Sequence, residues 1–225
     1  MFYWIKTNKF IKWLFYNHVW SIPNTSKTIY LTFDDGPIPE VTEWVLDILK
    51  ENHIKATFFC VGKNIVKHPE IFKRILSEGH IIGNHTYNHI NGWEKSTKEY
   101  INDIIACEKI IQENIELLDH NLEKSGINNQ KSNLFRPPYG KITPLQSIRL
   151  RKKGYKIIMW DVLTADFDLS ISNDQCIKNA TQKVESGSII VFHDSQKAYP
   201  HLKNCLPKTL TFYKEKGFIF DIIRN

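Results

Sequence analysis

Short runs of apolar residues alternate along the chain with longer stretches of helical character. The apolar runs are rich in β-branched and aromatic residues, which predicts buried strands. Seven such runs occur, at 28–33, 56–61, 80–83, 133–137, 155–160, 188–193 and 218–223. Helices are predicted between them, at 40–52, 63–78, 94–119, 144–153, 173–186 and 201–216, and Pro69 should break or delay the second of these.

Strands that are apolar almost throughout and are separated by helices are typical of a parallel sheet covered by helices. The sequence therefore predicts an α/β fold, and seven strands suit a barrel that is incomplete. The chain of 225 residues shows no shift in composition that would divide it, and a segment at 118–132 is polar and rich in turn formers. We expect one domain with a surface loop at that segment.

The segment before the first strand, 1–26, is rich in aromatic residues but is interrupted by Lys6, Lys9 and Lys12. Its apolar runs are too short for a membrane-spanning helix or for the core of a signal peptide. Two interpretations remain: an extension packed across the outside of the domain, or a basic aromatic patch in peripheral contact with a membrane. We expect a cytoplasmic or membrane-peripheral location.

The net charge bears on the class of partner, and the spacing of the cysteines bears on zinc and redox motifs. The net charge of +6 favours anionic partners, yet the basic residues are scattered along predicted helices, as is typical of solvated helix faces. We expect no nucleic-acid partner. The cysteines contain no C-x-x-C pair, so free buried thiols are expected rather than a zinc or redox motif, at Cys60, Cys107, Cys176 and Cys205.

Polar side chains follow the strands at their carboxyl ends. They are Asp34 and Asp35 after the first strand, His85 and His89 after the third, Arg136 to Gly140 after the fourth, Asp161 and Asp166 after the fifth, and His193 and Asp194 after the sixth. In a parallel barrel these ends gather on one face, where such enzymes build their sites. Residues far apart in the chain are therefore expected to meet.

His85 and His89 are four residues apart, a spacing that suits two ligands of one metal ion if the turn is helical. Two histidines at this spacing also occur on surfaces without a metal. Asp35 would add a carboxylate, giving three ligands and open positions for water and substrate. Because the side chains of Asp34 and Asp35 diverge, one can bind the metal while the other takes a proton. A turn or a helix cap is the alternative for this pair.

Two further motifs can supply groups that take part in catalysis. Arg136 to Gly140 is a rigid loop that could hold Arg136 against a carboxylate and aim a backbone N–H at an oxyanion. Its alternative is an ordinary loop with a surface arginine. His193 ends an apolar strand, where a structural histidine is common, but Asp166 could pair with it and favour the imidazolium.

Five motifs in this order resemble those of the polysaccharide deacetylases, the NodB homology domain of carbohydrate esterase family 4. They are TFDDGP (32–37), HTYNH (85–89), RPPYG (136–140), WDVLTADF (160–167) and SIIVFHD (188–194), and the resemblance covers about 27–194. It implies a distorted (β/α) barrel and a NodB-type domain over 27–225.

The resemblance also implies a role for each matching residue. Asp34 would be the catalytic base and His193 the general acid, while Arg136 would hold Asp34 and Asp166 would tune His193. The metal ligands would be Asp35, His85 and His89. The oxyanion site and acetyl pocket would be built by Tyr139, Ile189, Val191 and Phe167. Phe167 stands where the family usually has tryptophan, so we expect a roomier pocket.

The implied activity is metal-dependent removal of N-acetyl groups from saccharides that contain N-acetylglucosamine, such as chitin oligomers or peptidoglycan-like polymers. The cofactor would be a divalent ion, with zinc expected and cobalt or another ion as alternatives. We expect a monomer whose partner is the carbohydrate. The alternatives are an O-acetyl esterase acting on acetylated xylan and a sugar-binding module without catalysis.

Overall fold

Eight parallel strands form one sheet in the computed structural model, which describes residues 3–119 and 133–224. The strands are β1 (Thr28–Asp34), β2 (Thr57–Cys60), β3 (Ile81–Asn84), β4 (Leu134–Phe135), β5 (Lys156–Ile157), β6 (Val162–Leu163), β7 (Ile189–His193) and β8 (Ile219–Asp221). Their order is β5-β4-β3-β2-β1-β7-β6, with β8 beside the first half of β1. The sheet curls into an incomplete barrel, which confirms the predicted fold class. The predicted loop at 118–132 lies, from residue 120 onward, outside the described residues.

Eight helices accompany the sheet in the described residues, and all but the first contribute buried residues that pack against it or against one another. They are α1 (Lys9–Leu14), α2 (Val41–Glu51), α3 (Gly62–Lys67), α4 (Pro69–Ser77), α5 (Thr97–Asp119), α6 (Pro144–Lys152), α7 (Asn173–Thr181) and α8 (Tyr199–Glu215). The break predicted at Pro69 is present, because α4 begins at that proline. The short helix α1 was not predicted. No helix in the part of the chain that the structure describes is both long and apolar enough to cross a membrane.

The central strand β1 shows how the sheet separates core from site. All its residues are buried, but alternate side chains point to opposite faces. Ile29, Leu31 and Phe33 belong to the large apolar cluster beneath the helices. The other face carries Tyr30, which packs in a separate cluster, and Asp34 at the carboxyl end. The side chains on the inward face of the sheet, at the carboxyl ends of the strands, are therefore the ones that can form a site.

Asp161 does not lie where its position after the fifth predicted strand suggested. Its backbone N–H donates to Ile189 O, and Ser188 Oγ donates to its carboxylate at 2.5 Å. Both partners stand at the amino end of β7, whereas His193 stands at its carboxyl end. The prediction for Asp161 is wrong, because an additional strand, β6, begins directly after it at Val162 and runs parallel to β7, so that Asp161 stands at the amino end of this strand pair.

Residues 3–22 run along the two outermost strands. On one side the N–H of Leu163 donates to Ile5 O at 2.8 Å, and on the other the N–H of Val19 donates to Ile157 O at 2.8 Å. Lys6 and Lys12 both pair with the buried carboxylate of Asp161. The large side chains of α1 and the residues after it remain exposed, with Phe10, Trp13 and Tyr16 at 62%, 69% and 76%. The domain boundary at residue 26 and a membrane contact both stay predictions.

Candidate active site

The turn after β1 separates the two neighbouring aspartates. Asp34 is the last residue of the strand, and Asp35 follows in the left-handed region with φ of 89°, a strained backbone for any residue other than glycine. The side-chain amide of Asn64 donates to Asp35 O at 2.7 Å and holds this turn. The carboxylates therefore diverge: that of Asp34 meets Arg136, and that of Asp35 meets His85 and His89.

Asp35, His85 and His89 form a cluster of three donor atoms that all lie within 4.8 Å of one another. Asp35 Oδ1 is 3.1 Å from His89 Nε2 and 3.7 Å from His85 Nε2. Ligands bound at about 2.1 Å in a tetrahedral arrangement would be about 3.4 Å apart, so the spacing fits one metal ion. The Nδ1–H of His85 donates to Arg136 O at 2.8 Å, which leaves Nε2 free to bind a metal.

The electrostatics of this cluster suit a cation. Burial lowers the pKa of His85 from 6.5 to about 4, so the ring is neutral at pH 7. Burial alone would raise the pKa of Asp35, but the hydrogen bond with His89 and the surrounding imidazoles together hold it below its usual value. One carboxylate and two imidazoles are the donor set of a catalytic zinc site.

The turn that carries the two histidines is not helical, so the helical geometry considered for His85 and His89 is wrong. Thr86 and His89 adopt positive φ of 64° and 55°. Asp103, on α5, accepts from the backbone N–H groups of Tyr87 and Asn88 at 2.7 and 3.0 Å and so fixes the turn. The two rings still lie 5.1 Å apart. Asp103 was not identified from the sequence, because only the packed fold brings α5 beneath this turn.

Arg136 is completely buried and holds Asp34. One guanidinium nitrogen donates to Asp34 Oδ1 and to Thr32 Oγ1, each at 2.7 Å. The remaining nitrogens donate to the carbonyl groups of Ile158 and Met159 at 3.2 and 2.9 Å. A buried guanidinium with all these partners is fixed in position, which excludes the ordinary surface arginine considered for this loop.

His193 and Asp166 form a second charged pair at the carboxyl end of β7. The Nδ1–H of His193 donates to one oxygen of Asp166 at 2.7 Å, and its backbone N–H donates to the other at 2.8 Å. Burial acts to lower the pKa of His193, but the charge and hydrogen bond of Asp166 outweigh it and raise the pKa from 6.5 to about 9. The imidazole is therefore protonated at neutral pH.

Asp194 belongs to the same end of the sheet, although the sequence analysis gave it no role. Its side chain is buried and accepts from the N–H of Gly36 at 3.1 Å and from the hydroxyl of Thr42 at 2.6 Å. A Cβ on Gly36 would lie 2.0 Å from this carboxylate, so glycine is required there. Burial, together with the charge of Asp35, raises the pKa of Asp194 to about 8. Asp194 thus braces the turn that presents Asp35.

The residues predicted to line the acetyl pocket are not equally close to the site. The ring of Phe167 lies edge-on to that of His193, with centroids 5.0 Å apart, and Tyr3 contacts Phe167 at 5.6 Å. Val191 and Ile189 precede His193 on the same face of β7, by about 7 and 13 Å along the strand. Ile189 is fully buried in the inner apolar cluster, so Val191 is the better placed of the two.

Comparison with known proteins identifies the family. The polysaccharide deacetylase family model matches residues 21–158. A peptidoglycan-N-acetylglucosamine deacetylase of Bacillus cereus is 36% identical over 208 residues, which cover 91% of this chain and 70% of that protein.

The solved structures that share the fold include two deacetylase-family domains. The Bc1960 peptidoglycan N-acetylglucosamine deacetylase superimposes with a TM-score of 0.76 at 33% identity, covering 94% of each chain. The Xyl-CE4 domain of a multidomain xylanase from the hindgut metagenome of Trinervitermes trinervoides superimposes with a TM-score of 0.75 at 28% identity, covering 88% of each chain. By its sequence and its incomplete barrel, the chain belongs to the polysaccharide deacetylase family.

Proposed function

We propose that this protein hydrolyses the N-acetyl group of N-acetylglucosamine units in a saccharide, releasing acetate and a free amine. The observation that carries the proposal is the arrangement of three groups at one end of the sheet. These groups are the Asp35–His85–His89 cluster, the Asp34–Arg136 pair beside it and the His193–Asp166 pair. Together they provide a metal site, a base and an acid, which amide hydrolysis requires.

Asp35, His85 and His89 would hold the divalent ion, for which zinc is our proposal. The chemistry that such an ion supplies is a more electrophilic acetyl carbonyl and a lower pKa for water. Three protein ligands would leave coordination positions open for the acetyl carbonyl and for water. The strained turn at Asp35, braced by Asp194, serves to aim the carboxylate at the two imidazoles.

Asp34 acts as the base that removes a proton from the attacking water. Its Oδ1 is fixed by Arg136 at 2.7 Å, so the carboxylate cannot turn towards the metal ligands. Arg136 is itself held by carbonyl groups, and its charge keeps the aspartate in a defined orientation. The backbone N–H of Tyr139, in the rigid loop that follows Arg136, donates to the developing oxyanion.

His193 acts as the acid. Its Nδ1–H is committed to Asp166, so Nε2–H is the proton available to the substrate. As the C–N bond breaks, the amine nitrogen takes this proton and leaves as a neutral amine, while the acetyl carbon keeps the oxygen of water. Without that proton the leaving group would be a strongly basic amide ion, and the bond would not break at a useful rate.

The substrate class follows from the relatives that share the family. Besides the Bacillus cereus protein, they include a chitin deacetylase of Saccharomyces cerevisiae, 36% identical over 177 residues that cover 76% of this chain and 51% of that protein. Both are named as deacetylases of polymers that contain N-acetylglucosamine. The xylanase domain with the same fold favours, as a second candidate, removal of O-acetyl groups from xylan.

The test is a screen for acetate release from chitin oligomers, peptidoglycan fragments and acetylated xylan, with the protein as prepared, after chelation and after addition of zinc or cobalt. We expect release from the N-acetylglucosamine substrates, loss of activity on chelation and recovery with metal. Full activity in protein shown by elemental analysis to be metal-free would refute the mechanism. Release from xylan alone would favour the second candidate, and sugar binding without release would indicate a module that lacks catalysis.

A further inference from the structure

The segment before α1 pairs with β6 and runs in the opposite direction. Lys6 and Val162 form an antiparallel bridge. In an antiparallel pair, each step back along one strand is a step forward along the other, so this register sets Tyr3 beside Ala165. The N-terminal segment therefore reaches the loop after β6, which carries Phe167.

Tyr3 contacts this loop through both its ring and its hydroxyl group. The ring lies edge-on to that of Phe167, with centroids 5.6 Å apart. The hydroxyl donates to the carboxylate of Asp168 at 2.6 Å. The other oxygen of this carboxylate accepts from the hydroxyl and the N–H of Ser170 at 2.6 and 3.0 Å. Because the acceptor is itself held, the Tyr3 ring has a defined position against Phe167.

Phe167 lies between Tyr3 and the proposed acid. Its ring is edge-on to that of His193, with centroids 5.0 Å apart, and the ammonium group of Lys197 lies 5.8 Å from its centroid. A phenylalanine side chain turns about two torsions, so its neighbours decide where the ring points. Of these neighbours, Tyr3 comes from a segment that carries none of the five motifs, and the motifs alone therefore do not predict its contact.

We propose that Tyr3 is a positioning residue for acyl-group specificity, which keeps the Phe167 ring against His193 and so sets the width of the acetyl pocket. This inference rests on the proposed function, in which Phe167 bounds that pocket. Without the Tyr3 ring, Phe167 can turn into the vacated space, and the pocket opens to a larger acyl group. Tyr3 thus acts through Phe167, and its effect is on the size of the group that fits.

The test uses glucosamine oligomers that carry either N-acetyl or N-propionyl groups, and it measures the ratio of kcat/KM for propionate release to kcat/KM for acetate release. In Tyr3→Ala we expect this ratio to rise about threefold to tenfold, because one methylene group in a closely fitting apolar pocket is worth about tenfold or more. Tyr3→Phe keeps the ring and should keep most of the original ratio. Tyr16→Ala, which removes an exposed tyrosine ring from the same segment, is the matched control and should leave the ratio unchanged.

A double-mutant cycle shows whether Tyr3 acts through Phe167. Phe167→Ala alone should raise the ratio, and adding Tyr3→Ala should change it no further, because the ring that Tyr3 holds is gone. An equal effect of Tyr3→Ala with and without Phe167 would overturn the proposal. So would an unchanged ratio in Tyr3→Ala, even if both rates fall, since a loosened fold lowers both together. An equal rise in Tyr3→Ala and Tyr16→Ala would also overturn it, because the effect would then belong to the whole segment.

A failure of the proposed function is recognised separately. If the unmodified protein releases neither acetate nor propionate, the proposed function fails by itself, and NMR then tests the packing of Phe167. The ring protons of His193 sense the neighbouring Phe167 ring through their chemical shifts. A change in Tyr3→Ala towards the shifts found in Phe167→Ala supports the role of Tyr3 in holding this ring, and unchanged shifts refute it.

Discussion

Replacing Asp166 with asparagine removes the negative charge that keeps His193 protonated. The rise in the pKa of His193 from 6.5 to about 9 corresponds to about 3 kcal/mol in favour of the imidazolium. Asparagine has nearly the same shape but no charge, and its NH2 group, which cannot accept, replaces one of the two oxygens that accept from the N–H groups of His193. Since burial lowers the pKa of this ring, we expect the pKa in Asp166→Asn to fall to 6.5 or below.

The consequence is a shift in the alkaline limb of the pH–rate profile. At pH 7.5 a group with a pKa of about 9 is almost fully protonated, whereas one with a pKa of 6.5 is protonated in roughly one molecule in ten. If His193 is the acid, kcat/KM in Asp166→Asn should drop about tenfold or more at pH 7.5 and recover partly as the pH is lowered towards 6. The assay is acetate release between pH 5.5 and 9.5.

Asp168→Asn is the matched control, because Asp168 lies two residues away and its carboxylate bonds Tyr3 and Ser170 rather than His193. Its alkaline limb should stay at the original pH. Thermal unfolding of both variants separates a loss of fold from a loss of protonation. An alkaline limb in Asp166→Asn that does not move would refute the assignment of His193 as the acid.

Three further predictions concern other groups. Asp35→Asn should lose bound metal by elemental analysis, whereas Asp34→Asn should keep it while turnover falls roughly 10² to 10⁴-fold, and equal metal loss would mean the pair has been misassigned. Phe167→Trp should lower the rate on N-propionyl relative to N-acetyl substrates about tenfold, and an unchanged ratio would exclude this residue from the pocket. Burial lowers the pKa of His18 to about 4 and of His80 to about 3. Because the unfolded chain takes up these protons near pH 6.5, thermal stability should fall between about pH 6.5 and 4, and less so in His18→Gln. An equal fall in His18→Gln and the unmodified protein would exclude His18 as a contributor.

The strands and the face that carries the site could be predicted because each depends on local pattern. Runs of apolar residues mark parallel strands, and polar residues at their carboxyl ends must meet. The free and buried state of the cysteines was predicted in the same way, from the absence of paired spacing. The five ordered motifs added the expected pairing of Arg136 with Asp34 and of Asp166 with His193.

What the sequence could not predict depends on where the chain turns in space. Nothing in the run from Met159 to Val162 indicates that β5 has ended and that a further parallel strand begins at Val162, so Asp161 was placed at the wrong end of the sheet. The turn at His85 is set by Asp103, a residue of α5. Asp194 was visible at a strand end, but its contact with Gly36 and Thr42 exists only once α2 packs against the sheet.

An incomplete barrel has two outer strands, and exposed strand edges are sites at which copies of a protein aggregate. Here residues 3–22 form backbone hydrogen bonds with both outer strands. The N–H of Leu163 in β6 donates to Ile5 O, and the N–H of Val19 donates to Ile157 O in β5. A chain shortened to begin at residue 21, where the family match starts, would keep every proposed catalytic residue but leave both edges open. Such a chain is expected to precipitate through strand pairing between molecules, although all its proposed catalytic residues are present.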